Sequence, residues 1–157
     1  METERIYTVT IQNCIACGKC ELACSFAHGT EGKPGKSRIN IHKRGIEIGT
    51  PVICFQCIQA ACFKVCPVSA IVRNMETGAL DVDYERCVNC RMCVAACPFG
   101  NMLWEEGTTR VIKCDLCKGD PKCVPFCPTK AIDYRPAPMA VKYIPKMALE
   151  SDQSSKP

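Results

Sequence analysis

Sixteen cysteines in a chain of 157 residues divide into four quartets with none left over. They are Cys14, Cys17, Cys20 and Cys24; Cys54, Cys57, Cys62 and Cys66; Cys87, Cys90, Cys93 and Cys97; and Cys114, Cys117, Cys123 and Cys127. In each, two residues separate the first pair, two to five separate the second from the third, and three lead to the last. Thiolates at this spacing hold [4Fe-4S] clusters. A proline follows the last cysteine in three quartets, at Pro67, Pro98 and Pro128.

Cysteine at about a tenth of the residues also fits a disulfide scaffold. Disulfides need an oxidising compartment, whereas Met1-Glu2-Thr3-Glu4-Arg5 carries charges of both signs and leads into no apolar signal core or twin Arg, which points to a cytoplasmic setting. Structural zinc usually takes two well-separated Cys-x-x-Cys pairs, while the first and third quartets put three thiols within seven residues and a fourth just beyond. Iron–sulfur ligation fits both observations better.

The formal net charge of +4 treats every thiol as neutral. An oxidised [4Fe-4S] core of about +2 on four thiolates adds about −2 per site, so four sites make the loaded protein roughly −4. Lys and Arg are also dispersed along the chain, so no nucleic-acid partner is expected. There is no run of eighteen or more apolar residues, hence no membrane span. Only 6% of the residues are aromatic, and apolar positions interleave with ligands, so the core is marginal without metal. The metal-free chain is expected to be largely unfolded.

The elements that position the quartets are short. Ile6 to Ile11 alternates like a strand, Gly18 to Ala27 has helical composition with Cys20 and Cys24 on one face, Gly29 to Gly35 reads as a loop, and Arg38 to His42 as a strand. Two hairpins are predicted, Ala70–Arg73 with Ala79–Val82 around Glu76-Thr77-Gly78, and Asn101–Trp104 with Thr109–Ile112 around Glu106-Gly107. A ligand loop, a short helix carrying the last cysteine, a proline and a strand such as Val68–Ile71 or Thr129–Ile132 form an internal repeat. Two such repeats make one lobe, because the fourth cysteine of one motif ligates the other motif's cluster, so four repeats imply two lobes and four [4Fe-4S] clusters.

With Cys-x2-Cys-x2-Cys-x3-Cys, Cys-x2-Cys-x4-Cys-x3-Cys-Pro, a second x2-x2-x3 quartet with Pro, and Lys113-Cys114-Asp115-Leu116-Cys117, the chain resembles the four-cluster ferredoxin-like electron-transfer subunits over about Ile6 to Arg135. These accompany tungsten or molybdenum oxidoreductases, carbon monoxide dehydrogenases and hydrogenases. Gly119-Asp120-Pro121-Lys122-Cys123-Val124 and Cys127-Pro128-Thr129 are similar to the small iron–sulfur subunits of the aldehyde oxidoreductase and carbon monoxide dehydrogenase type, themselves related to the B subunits of DMSO reductase-like molybdoenzymes.

The resemblance implies an α+β fold of two ferredoxin-like lobes. Residues 5–50 and 110–135 form an outer lobe with the first and fourth motifs, residues 51–109 an inner lobe with the second and third, and 136–157 an extension. It also implies nested ligation. Cys14, Cys17, Cys20 and Cys127 hold one cluster and Cys24, Cys114, Cys117 and Cys123 its lobe partner; Cys54, Cys57, Cys62 and Cys97 hold a third and Cys66, Cys87, Cys90 and Cys93 the fourth. Two departures are visible. Ser25 stands where a proline follows the other three quartets, and the gap from Lys118 to Lys122 is shorter than in larger relatives.

A cluster with no open iron site transfers one electron and binds no substrate, and no other catalytic constellation is present, so the chain reads as a non-catalytic wire. Its expected partners are a catalytic subunit carrying a tungsten or molybdenum pterin, a flavin subunit or ferredoxin, and further copies of itself; a carbon monoxide dehydrogenase or hydrogenase partner, a cluster-stapled scaffold and a maturation factor are the alternatives. Gly18 between ligands is expected to admit close backbone approach. Lys19, Lys64, Arg91, Lys113 and Lys118 adjoin ligands and either raise nearby potentials or are solvated loop charges. His28 and His42 lie outside the quartets and read as surface residues. Phe26, Phe55, Phe63, Phe99, Phe126 and Trp104 read as core covering the clusters. In the extension, Met139, Val141, Tyr143, Ile144, Met147 and Leu149 form either a docking arm or a segment packed on the lobes.

Overall fold

The computed structural model describes residues 5–43, 45 and 48–136. Strand β1 (Arg5–Val9) leads through a single tight turn at Ile11–Asn13 to helix α1 (Lys19–Ala27). There follow β2 (Asn40–Lys43), β3 (Gly49–Val52), α2 (Ala61–Val65), β4 (Ile71–Arg73), β5 (Leu80–Val82), α3 (Met92–Ala96), β6 (Leu103–Glu105), β7 (Arg110–Ile112) and β8 (Ile132–Pro136). The strands pair antiparallel as four two-stranded sheets, β1 with β8, β2 with β3, β4 with β5 and β6 with β7. The first joins the two ends of the described chain in the register Tyr7 to Tyr134.

Helix length follows from proline placement. Cys66 and Cys97 precede Pro67 and Pro98, and the proline ring excludes the helical conformation from the residue before it. Both cysteines accordingly sit extended, at ψ 114° and 110°, so α2 and α3 stop after five residues. Each fourth cysteine is thereby thrown off the face that carries the third. The next turn has Pro at its second position and a left-handed residue at its fourth, closed by Ser69 N–H to Cys66 O at 3.4 Å, Gly100 N–H to Cys97 O at 3.3 Å and Lys130 N–H to Cys127 O at 3.3 Å. These turns take up the first half of each expected strand, 68–69 and 129–130, so β4 and β8 start only at Ile71 and Ile132. After Cys24, Ser25 imposes no such stop, and α1 runs on for nine residues.

Two hydrophobic cores form. One gathers Cys20, Cys24, Ile39, Ile53, Ala79, Cys114, Leu116, Cys123 and Ile132; the other Ala60, Cys62, Phe63, Ile71, Leu80, Cys93, Met102 and Val111. Both are thin. The largest fully buried side chains are Ile39, Ile71, Leu80, Ile132 and Val111, none of them aromatic. Phe26, Phe55, Phe99 and Phe126 are exposed, so of the six aromatics expected in the core Phe63 lies there and half-buried Trp104 packs against it. The reason is local geometry: Phe26, two residues beyond Cys24 on α1, faces away when Cys24 faces in.

Strand β3 carries no strand signal in its sequence Gly-Thr-Pro-Val, and it straddles the expected 50/51 boundary. Pro51 is tolerated because a two-stranded ribbon leaves one edge free, opposite Ile41. Its first residue, Gly49, packs on the first ligand loop: a Cβ there would lie 3.1 Å from Cys14 Sγ, 3.1 Å from Ala16 Cβ and 2.8 Å from Ile41 Cγ2. Gly49→Ala is therefore expected to displace Cys14, destabilise the fold by about 1–3 kcal/mol and lower iron content at that site alone. Iron analysis with a thermal melt checks this, and an unchanged melt with full iron contradicts it.

No helix among the described residues is long and apolar enough to cross a membrane. The extension, with its expected docking arm, lies outside the described residues except for Pro136, the last residue of β8.

Candidate metal centres

The ligand loops share one backbone device. The residue before the second cysteine is left-handed in all four motifs: Ala16 at φ 54°, Gln56 at 49°, Asn89 at 55° and Leu116 at 56°. In three motifs the residue after it is left-handed as well, at Gly18, Arg91 and Lys118, and Cys117 itself has φ 47°. Among the described residues, every non-glycine with positive φ except Glu31 and Thr109 belongs to a cysteine motif or the turn after it. Each such residue costs roughly 1–2 kcal/mol, so together they rival the net stability of a small domain. Backbone in this conformation turns successive N–H groups inward, the concave arrangement that receives anions and iron–sulfur groups. Gly18 belongs to this pattern at φ 73°; an added Cβ would meet nothing nearer than Glu21 Oε2 at 3.6 Å, so conformation, and not crowding, calls for glycine there.

Three concavities are each lined by four cysteines from two motifs. One is lined by Cys14, Cys17 and Cys20 with Cys127, another by Cys54, Cys57 and Cys62 with Cys97, and a third by Cys87, Cys90 and Cys93 with Cys66. Backbone donors meet the fourth cysteines, Ala70 N–H on Cys66 Sγ at 3.2 Å and Asn101 N–H on Cys97 Sγ at 3.4 Å. The remaining quartet is arranged differently. Cys24, Cys114 and Cys123 share the first core, and Cys117 meets Cys24 across the ring of His28.

His28 is not the surface residue expected. Its Nδ1 lies 3.6 Å from Cys24 Sγ and its Nε2 4.0 Å from Cys117 Sγ and 3.2 Å from Asp115 Oδ1. The signal was present: with no proline after Cys24 the helix continues, and His28 follows one turn later on the same side. Asp115 also accepts from Arg38 Nη1 at 2.7 Å and from Cys117 N–H at 3.0 Å. Burial would raise the Asp115 carboxyl, but His28, Arg38 and that amide outweigh it and hold it well below the carboxylate range. Burial would likewise push the Cys24 thiol up; His28 and the Arg38 N–H, 3.2 Å from its sulfur, hold it down instead. His42 is exposed.

Elsewhere burial dominates. It pushes the thiols of Cys20 and Cys114 up to about 12 and Cys93 to about 11, and raises Cys57 and Cys62. Such thiols are weak nucleophiles, and a metal that takes them as thiolates must displace their protons. All sixteen are free of disulfides. Four sulfurs around one concavity, left-handed loops that turn N–H groups inward and a mainly apolar lining fit a thiolate-bound iron–sulfur group.

The cations beside ligands divide. Lys19, Lys64 and Lys118 are exposed, and Arg91 is exposed with its guanidinium 3.7 Å from the Trp104 ring centre. Lys113, in contrast, is buried.

A family model described as a 4Fe-4S dicluster domain matches residues 48–137, and one described as a 4Fe-4S binding domain matches residues 11–27. The chain is 38% identical over 125 residues to the aliphatic sulfonate oxidoreductase, polyferredoxin-like subunit, of Pyrococcus furiosus, covering 79% of this chain and 72% of that protein. It is 34% identical over 157 residues to the electron transport protein HydN of Escherichia coli, covering 82% and 86%. To formate hydrogenlyase subunit 2 of Escherichia coli it is 33% identical over 156 residues, covering 76% and 75%.

Proposed function

Since the chain belongs to the 4Fe-4S dicluster family of ferredoxin-like electron-transfer proteins, we propose that it is the iron–sulfur subunit of an oxidoreductase complex, conducting electrons through four [4Fe-4S] clusters in two lobes. The observation that carries this reading is the crosswise convergence of cysteines. Cys127, from the last motif, lines the same concavity as Cys14, Cys17 and Cys20, and Cys97 and Cys66 change places between the two central motifs. Cys24, Cys114, Cys117 and Cys123 complete the fourth set. The two cores, one drawn mainly from the first and fourth motifs and one from the second and third, support outer and inner lobes.

When bound, each cluster supplies a one-electron couple with no coordination site for substrate. The residues of this chain hold it by thiolate, donate N–H groups to sulfur at Cys24, Cys66 and Cys97, and exclude water behind Ile39, Ile71, Leu80 and Ile132. Lower dielectric and fewer sulfur hydrogen bonds disfavour the more negative reduced state, so these donors set the potential.

The partner in this reading is a catalytic subunit of the tungsten or molybdenum pterin, aldehyde-oxidising type, with a flavin subunit or ferredoxin on the other side. The complex is cytoplasmic, where sixteen disulfide-free thiols persist. Relatives named as subunits of a sulfonate oxidoreductase and a formate hydrogenlyase support a partner in an oxidoreductase complex, and the resemblance carried by the motif from Gly119 to Val124 supports its pterin type. Anaerobic purification of the complex, metal analysis of the catalytic chain and stopped-flow addition of aldehydes test it. Reduction of the clusters at a rate matching turnover is expected; a catalytic chain without pterin, or clusters that stay oxidised during turnover, overturns it.

A further inference from the structure

Lys113 follows β7 directly and enters the place where the two cores meet, between Leu80 of one and Ala79 and Cys114 of the other. It is 3% exposed. Its Nζ donates to Gln56 Oε1 at 3.0 Å, to Cys114 O at 2.7 Å and to Leu80 O. Three acceptors match the three N–H groups of an ammonium, whereas a neutral amine would turn its lone pair on an oxygen. No carboxylate pairs with it among the described residues. A buried charge without a counter-charge costs several kcal/mol, so an anion must balance this one.

Gln56 shows where that anion lies. It sits between Cys54 and Cys57, its Nε2 donates to Cys114 O at 2.8 Å and its Oε1 also accepts from Leu80 N–H at 2.9 Å. One amide therefore ties a ligand loop of the second motif to a ligand of the fourth, with the ammonium between them. Its charge is felt at sulfurs on both sides, opposing the upward push of burial on Cys62 and on Cys114.

We propose that Lys113, held by Gln56, is a positioning charge common to two clusters of different lobes, that of Cys54, Cys57, Cys62 and Cys97 and that of Cys24, Cys114, Cys117 and Cys123. It stabilises the reduced form of each and raises both potentials relative to the other two clusters, easing transfer across the lobe junction. A fixed cation in a dry seam acts at low dielectric, while Lys64 and Lys118, beside the same ligand sets but exposed, are screened by water. The inference rests on the four-cluster reading above.

The test is an anaerobic potentiometric titration of the full holoprotein followed by electron paramagnetic resonance. In Lys113→Met two of the four midpoints are expected to fall by at least a tenfold shift in the oxidised-to-reduced ratio, about 59 mV for one electron, while two stay and Lys64→Met moves none. If Lys113→Met does not retain iron, Gln56→Glu decides, because a carboxylate on the ammonium should lower the same two midpoints. All four midpoints unmoved, or all four lowered equally, in a fully loaded variant overturns the proposal. A wild-type protein with fewer than four reducible clusters instead overturns the wiring on which it rests.

Discussion

Stripping iron from the anaerobically purified protein with a strong chelator is expected to abolish the fold, converting it to a chain without a cooperative thermal transition and open to protease along its length. The core explains the size of the effect. Its largest fully buried side chains are medium-sized aliphatics, each contributing roughly 1.5–3 kcal/mol at most, against backbone ordering of about 1–2 kcal/mol per residue. The left-handed residues in the ligand loops add strain to that deficit. Metal–thiolate bonding present only in the folded state must supply the difference. Far-ultraviolet circular dichroism before and after chelation, with iron and sulfide restored as the reverse arm, measures it; an iron-free chain that still melts cooperatively contradicts it.

Double replacement of cysteines should give a non-additive loss that reports the ligand sets. Cys54→Ala and Cys97→Ala are each expected to destroy one site, and their combination the same site, leaving about twelve irons per chain. Cys87→Ala with Cys97→Ala, although both lie in one motif, should destroy two sites and leave about eight. The reverse pattern would mean that each motif holds its own cluster. The pre-proline geometry argues for the crosswise result, because Cys97 leaves α3 just where continuing the helix would have kept it beside Cys93.

What could be read from the sequence was what depends on local rules. Ligand spacing, α1 and the two central hairpins follow from composition and turn residues, and each appears within a residue or three of its expected limits. What could not be read depends on distant partners. Pro51 in β3 is intelligible only once Ile41 lies opposite, and β1 finds β8 across the whole described length. For the aromatics, adjacency to a cysteine does not fix direction. Phe55 and Phe99 meet edge-to-face, with ring centres 4.8 Å apart, yet remain on the surface. Lys113 is open to two readings from its place in the sequence, a solvated loop charge or one acting at the ligands, and only the acceptors of Gln56, Leu80 and Cys114, from three separate segments, keep it inside.

The extra turn of α1 shows how one residue redirects a site. Ser25 in place of proline lets the helix reach His28, which then links Cys24, Cys117 and Asp115; in the second and third motifs proline ends the helix first. Cys24 and Cys117 thus share an imidazole partner, whereas Cys66 and Cys97 receive backbone N–H groups from Ala70 and Asn101.

The most direct measurement is iron and acid-labile sulfide analysis of the native complex under anaerobic conditions, with visible absorption recorded before and after the catalytic partner's substrate is added. About sixteen irons and sixteen sulfides per chain, with absorption that bleaches on reduction, is the expected result. About eight irons or fewer, or a full complement whose absorption substrate leaves unchanged, would contradict four conducting clusters.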